Sequence, residues 1–175
     1  MKKVSVMLFL LLFASAAFAS DANQPTVSWN TIVGVITAQG VDNPVSNNIP
    51  SAPFAWSAQS GHASLNLTTG DMSFEVKGLV FNGTTFSGTP GPVTAVTGTL
   101  VCNAGSKSET ALDSTPVSLN SRGDAQFAGR IAIATTNLAS SCSNPLFLIR
   151  VAAPQGVAGL WIATGAVRTT AANTE

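Results

Sequence analysis

Short stretches in which apolar and polar residues alternate run through most of this chain, separated by Gly, Pro, Asn and Asp. The clearest is a hairpin. Ala63, Leu65 and Leu67 alternate with Ser64, Asn66 and Thr68, Thr69-Gly70-Asp71 turns, and Met72, Phe74 and Val76 alternate with Ser73, Glu75 and Lys77. Period two on both sides of a Gly-containing turn marks antiparallel strands with one buried face. Gly78 to Phe81 continues or bends the second strand. Further strands are predicted over Thr26–Ala38, Phe54–Ala58, Val93–Cys102, Pro116–Asn120, Ala125–Ala134, Leu146–Ala152 and Gly159–Val167. In Ala125–Ala134, Phe127, Gly129, Ile131 and Ile133 share one face. The turns Gly70-Asp71-x-x-Phe74 and Gly123-Asp124-x-x-Phe127 look alike. Either one turn solution is used twice, with Gly at positive φ and the aromatic entering the core, or the pair is a relic of duplication.

The connections read as loops. Gln39–Pro53 is long for a structureless segment and is expected to cover an end of the domain or to serve function. Asn82–Pro92 is rich in Gly, Thr and Pro, Asn103–Asp113 is polar and holds Lys107 and Glu109, and Thr135–Asn144 carries Cys142. No amphipathic helix interrupts the strands. The fold class is therefore all-β, a single-domain antiparallel β-sandwich or partly open barrel with one disulfide. Tyrosine is absent, so the tyrosine corner of immunoglobulin-like domains is impossible.

The N-terminus follows different rules. Lys2-Lys3, an apolar run from Val4 to Phe13 and Ala17-Phe18-Ala19 make a signal peptide over residues 1–19, cleaved before Ser20. The rest divides into a flexible leader, 20–25, a β-domain, 26–168, and a small, polar, disordered tail, 169–175. Loss of Lys2 and Lys3 leaves six basic side chains against eight acidic ones, a net charge near −2. There is no basic stripe to hold a phosphate backbone, so nucleic acid is not an expected partner. No stretch after the signal is long and apolar enough to span a bilayer as a helix. Charged residues are 9% of the chain, while Thr, Ser, Asn, Gly and Ala abound, a composition expected of an exported β-rich protein, periplasmic or extracellular. Two cysteines in such a chain, Cys102 and Cys142, most simply make one disulfide, stabilising by about 4 kcal/mol on the chain-entropy estimate. Two free thiols or an intermolecular bond are the alternatives.

Little else carries chemistry. His62, the lone histidine, sits at a strand start with no nucleophile elbow, and reads as exposed or strand-capping rather than as part of a Ser–His–Asp site. Most carboxylates lie in turns or tails, and Asp71 with Glu75 is too sparse a pair to argue glycoside hydrolysis. Arg122-Gly123-Asp124 spells an integrin-binding tripeptide, but Gly-Asp at a turn needs no receptor. Trp29, Trp56 and Trp161 are candidates for stacking on a sugar, though their strand patterns favour the core. Asn66-Leu67-Thr68 and Asn82-Gly83-Thr84 match the glycosylation acceptor; behind a bacterial-looking signal neither is expected to be used. No cofactor or metal set is recognisable, since two cysteines and one histidine fall short of a four-ligand zinc site. Arg150, within Leu148-Ile149-Arg150-Val151, is the odd charge: either it lies at a sheet edge or it pairs with a carboxylate, and a structural pair is favoured over a ligand site.

One stretch carries a resemblance. It comprises Val76-x-Gly78-Leu79, Gly88-x-x-Gly91-x-Val93, Thr99-Leu100-x-Cys102, Asp113-Ser114-x-x-Val117-x-Leu119, Cys142-x-Asn144-Pro145-x-Phe147-Leu148-Ile149-Arg150 and Trp161-x-Ala163-x-Gly165. This resembles a family of small, secreted, β-rich bacterial proteins without an assigned function, and covers about two thirds of the chain. The resemblance implies export and a paired Cys102–Cys142, and supplies no activity. The Gly61–Leu79 hairpin is also similar to chordin-type β repeats, but their His-x-His after Gly-Leu is missing.

The expected function is an exported, non-enzymatic β-domain with a binding or envelope role, monomeric or weakly self-associating. The alternatives are a secreted hydrolase built on carboxylates or His62, and a fimbrial-type subunit completed by a donor strand. The usual aromatic C-terminal strand of such subunits is missing. Sequencing the N-terminus of the exported protein should give Ser20-Asp21-Ala22; a retained Met1 would refute the cleavage.

Overall fold

The computed structural model describes residues 25–43, 45–132, 138–153 and 156–170. The signal segment, nearly all of the leader, Ile133 and residues 171–175 of the tail lie outside them. Among the described residues the chain forms β1 (Thr26–Gly34), β2 (Trp56–Ser57), β3 (Ser60–Asn66), β4 (Asp71–Lys77), β5 (Val80–Phe81), β6 (Ala95–Cys102), β7 (Thr110–Asp113), β8 (Val117–Ser118), β9 (Ala125–Arg130), α1 (Leu138–Ser141), β10 (Leu146–Ala152) and β11 (Ala158–Thr170).

Nine of these strands make one antiparallel sheet in the order β7-β6-β10-β11-β1-β3-β4-β9, with β8 also paired to β6. The sheet curls into a half-barrel. Its far ends approach each other where β8 lies beside β9, but no ladder joins those two strands. Of the two predicted architectures, the partly open barrel is therefore the one formed. A separate two-stranded sheet, β2-β5, sits at one end.

The period-two hairpin is β3–β4, with Ala63, Leu65, Met72, Phe74 and Val76 all buried. Its turn and the later one share a glycine in the left-handed region, Gly70 at φ 77° and Gly123 at φ 82°. The aromatics that follow them become direct partners across β4–β9: Phe74 faces Phe127, ring centroids 5.8 Å apart. Phe147 stands 5.6 Å from Phe74 and 5.6 Å from Trp29, so four rings cross the interior in a row. Strand glycines make the room for them. A Cβ on Gly98 would lie 2.7 Å from Phe74, and one on Gly165 would lie 2.6 Å from Trp29.

Several elements depart from the sequence pattern. The predicted 103–113 loop ends in β7, an edge strand on β6. Helix α1, one turn long, occupies part of the predicted 135–144 loop. Strand β11 runs on through Arg168 and Thr169 to Thr170, so the first residues of the predicted tail are paired, with Thr169 opposite Ser28 and Thr170 opposite Val27. β1 stops at Gly34, four residues short of the predicted Ala38, where the chain passes so close to the Trp56 backbone that a Cβ would sit 2.1 Å from its carbonyl oxygen. The inward alternation of β1 also breaks at Asn30 and Thr31, both exposed, beside Val167, which holds φ 51°.

The disulfide joins Cys102, at the end of β6, to Cys142, just after α1, with both cysteines buried. Asn103 reinforces it: its backbone N–H donates to Ser143 O, and its side chain bridges Ser141 O and Ser143 N. Middle residues of β6 and β10 are buried on both faces. The 39–53 loop is held against the sheet, Trp161 N–H donating to Pro50 O and Ala52 N–H to Trp161 O, with Ile49 and Ala52 buried.

Glu109 ties the far end of that loop. Its carboxylate accepts from Ser46 Oγ at 2.6 Å and from the backbone N–H groups of Gly105, Asn47 and Asn48 at 2.7, 3.0 and 3.1 Å. Partial burial raises the carboxyl pKa, but the Ser46, Gly105, Asn47 and Asn48 donors outweigh it and bring it from 4.5 down to about 2. The clasp thus contributes fully above pH 4.5, and the contribution is lost as pH falls through about 2. Glu109→Gln should cost about 1 kcal/mol at neutral pH. The gap from wild type should shrink in urea melts at low pH; a gap constant with pH would refute the clasp. Gly98→Ala should cost roughly 1–3 kcal/mol by overpacking against Phe74, and an unchanged melting temperature would contradict the ring row.

Candidate functional site

The predicted site residues do not come together. Trp29, Trp56 and Trp161 are 2%, 3% and 1% exposed, so none offers a stacking face. His62 is exposed on β3 opposite Glu75 and makes no side-chain hydrogen bond, to a serine or otherwise. The carboxylates inside the described residues are already engaged. Asp71 bonds Arg130 and Thr69, Glu75 pairs with Lys77, Asp42 takes the Ser51 N–H, and Glu109 forms the clasp. Hydrogen bonds from Arg130 to Asp71 and from Lys77 to Glu75 hold both carboxyls below their usual range, the opposite of what a general acid needs.

Arg122-Gly123-Asp124 is a locked turn. Gly123 N–H donates to Asn120 O, and a Cβ on Gly123 would meet Leu79 O at 2.3 Å. Asp124 accepts from Asn120 Nδ2, Gly78 N–H and Arg122 Nε, which lower its pKa and leave it occupied. Arg150 lies on β10, between β6 and β11, so it is not at an edge. It sits where the β10–β11 register shifts, and its Nε and Nη2 donate to Gly159 O at 2.7 Å and Ala158 O at 2.6 Å. Nη1 reaches Asp113 at 3.3 Å, and Asp113 also accepts from Thr99 Oγ1 at 2.6 Å. All three guanidinium nitrogens are used in holding the sheet together.

What the structure does assemble is an aromatic cleft at the β2–β5 end. Gly78, at φ 62°, ends β4 and lets the chain leave the main sheet for β5. Pairing of β5 with β2 sets Phe81 opposite Trp56, rings 4.0 Å apart, and Phe54 meets Phe81 edge-on at 6.3 Å. The 82–92 loop then folds upon itself. Gly88 N–H returns to Phe81 O, Phe81 N–H donates to Thr89 O, Ser87 N–H donates to Thr84 O, and Thr89 N–H and Oγ1 both donate to Phe86 O. A loop so internally bonded holds Phe86 in place although that side chain is 50% exposed. Gly91 allows the arrangement, since a Cβ there would lie 2.9 Å from the Phe81 ring and 3.1 Å from Phe86.

The cleft so formed has a volume of about 720 Å³, with Phe54, Phe81, Phe86 and Pro92 as its apolar wall and Gln39, Thr84 and Thr85 among its polar lining. This lies within the usual range of small-molecule sites, which are largely apolar with a few placed polar groups. No ionisable side chain lines it. The three phenylalanines come from separate segments, so no local motif announces them. The one sequence signal is Phe86 itself, a lone aromatic inside a Gly/Thr/Pro-rich loop. Among the described residues no group of His, Cys, Asp and Glu is placed to hold a metal ion. No helix there is long and apolar enough to cross a membrane.

No protein-family model matches the chain, and neither a curated protein nor a solved structure matches it significantly.

Proposed function

We propose that this is an exported, non-enzymatic β-domain that binds a ligand in the Phe54–Phe81–Phe86 cleft. The observation that carries the reading is Phe86. An aromatic ring kept half-exposed by a self-bonded loop sacrifices burial that a flexible loop would recover by folding the ring inward. A ring held in that way is ready for a partner without an ordering cost at the moment of binding. Export through residues 1–19, to the periplasm or outside the cell, belongs to the same proposal and rests on the signal pattern. The carboxylates and Arg150 are committed to the fold, which favours binding over hydrolysis. β1 and β11 take both neighbours from their own chain, so those strands need no donor strand.

Screening a chemically diverse small-molecule set by thermal shift should yield compounds that raise the melting temperature of the wild type. Phe86→Ser should fold normally, because its ring is largely outside the core, and should bind those compounds roughly tenfold more weakly. Equal stabilisation of both proteins, or none of either, would show that the cleft is not the site.

A further inference from the structure

The chemistry of the cleft lining, on the reading that it is a binding site, points to a class of ligand: we infer that it takes a neutral saccharide chain. Three observations converge. First, a second cleft of about 280 Å³ adjoins the main one and shares Gln39, Phe54, Gly83 and Thr84 with it. The two are neighbouring, open-sided clefts with common walls, suited to a ligand of several linked units rather than to a compact one enclosed on all sides.

Second, the groove contains no charge. Lys, Arg, Asp, Glu and His are all absent from both linings. An anionic or cationic ligand would lose its hydration there and gain no partner, a desolvation cost with nothing to offset it. Phosphorylated, sulfated and carboxylated ligands are disfavoured on that ground, as are peptides recognised through their termini.

Third, three of the polar side chains at the groove are uncommitted, although the Thr37 and Thr84 hydroxyls beside them are engaged with the backbone. Gln39 and Asn82 are amides and Thr85 is a hydroxyl, each able to donate and to accept. None of the three side chains makes a hydrogen bond within the protein, although hydrogen bonding is dense in the loop around Thr85. A purely apolar ligand would lie beside these groups without engaging them. A sugar presents alternating hydroxyls and polarised C–H faces: the hydroxyls suit two-way donors and acceptors, and the C–H face suits the negative face of an aromatic ring. Phe86, half-exposed and held by its loop, is the platform.

The test uses the mature protein, a panel of uncharged oligosaccharides (hexamers of glucose in α and β linkage and of N-acetylglucosamine) and the apolar probe N-phenyl-1-naphthylamine. Calorimetry gives affinity, and tryptophan fluorescence reports on Trp56, whose ring lies against Phe81. At least one oligosaccharide should bind, Phe86→Ala should weaken it about tenfold, and Gln39→Ala or Asn82→Ala should weaken it several-fold. Both polar variants change exposed side chains and leave the fold unaffected. No saccharide binding up to about 10 mM, the weak end of specific recognition, would overturn the saccharide class. If the naphthylamine then binds and depends on Phe86, the cleft remains a site for an apolar ligand. Saccharide binding indifferent to Phe86→Ala would overturn both the class and the placement.

Discussion

Filling the half-barrel is the constraint on which the rest depends. A curled sheet of this size encloses a volume that aliphatic side chains alone fill poorly, and here Trp29, Phe147, Phe74 and Phe127 span it ring to ring. Each buried aromatic removes on the order of 150–250 Å² from water, worth several kcal/mol at about 25 cal/mol per Å². The rings dictate where side chains must be absent. Gly98 on β6 and Gly165 on β11 occupy strand positions where glycine is normally a weakness, and each lies under a ring. The aromatic row and the bare backbone opposite it are one device, so strand order and curvature follow from seating four rings.

The second requirement is to dispose of polar groups outside the barrel. The chain has few charges, and most described ones are tied into the fold. Arg150 collects two carbonyls where the β10–β11 register shifts, Asp113 links it to Thr99, and Glu109 gathers donors from its own loop and from the distant 39–53 loop. Buried polar groups in a low dielectric are costly unless satisfied, and satisfied ones fix geometry. At the groove, by contrast, Gln39, Asn82 and Thr85 present polar side chains that make no hydrogen bond to the rest of the fold.

Much of the fold was legible because period two survives wherever a strand buries one face. The β3–β4 hairpin reads directly from Ala63-x-Leu65 and Met72-x-Phe74-x-Val76, and β10 occupies the predicted Leu146–Ala152. β7 was not legible, since Thr110-Ala111-Leu112-Asp113 is an edge strand that buries little and so shows no alternation. The end of β11 falls in the predicted tail because Thr169-Thr170 is polar, yet it pairs through backbone groups that carry no sequence signature. Cys102–Cys142 was legible from the signal-like N-terminus together with the count of two cysteines. The cleft was not: Phe54 lies in the segment just before β2, Phe81 ends β5 and Phe86 sits in a loop, and only tertiary pairing of β2 with β5 brings them together. Tryptophan, the residue usually suspected of stacking, is spent here on the core.

The register of β1 gives the molecule a polarity. Val27 lies opposite Thr170, so the chain enters and leaves the sheet at the same pole. Gly34, at the other end of β1, touches Trp56, which lies beneath Phe81 and the groove. A nine-residue strand separates the two poles by about 25–30 Å. The first and last strand residues of the sheet's β1–β11 pair therefore stand at one pole, and the aromatic groove stands at the other, a full strand length away.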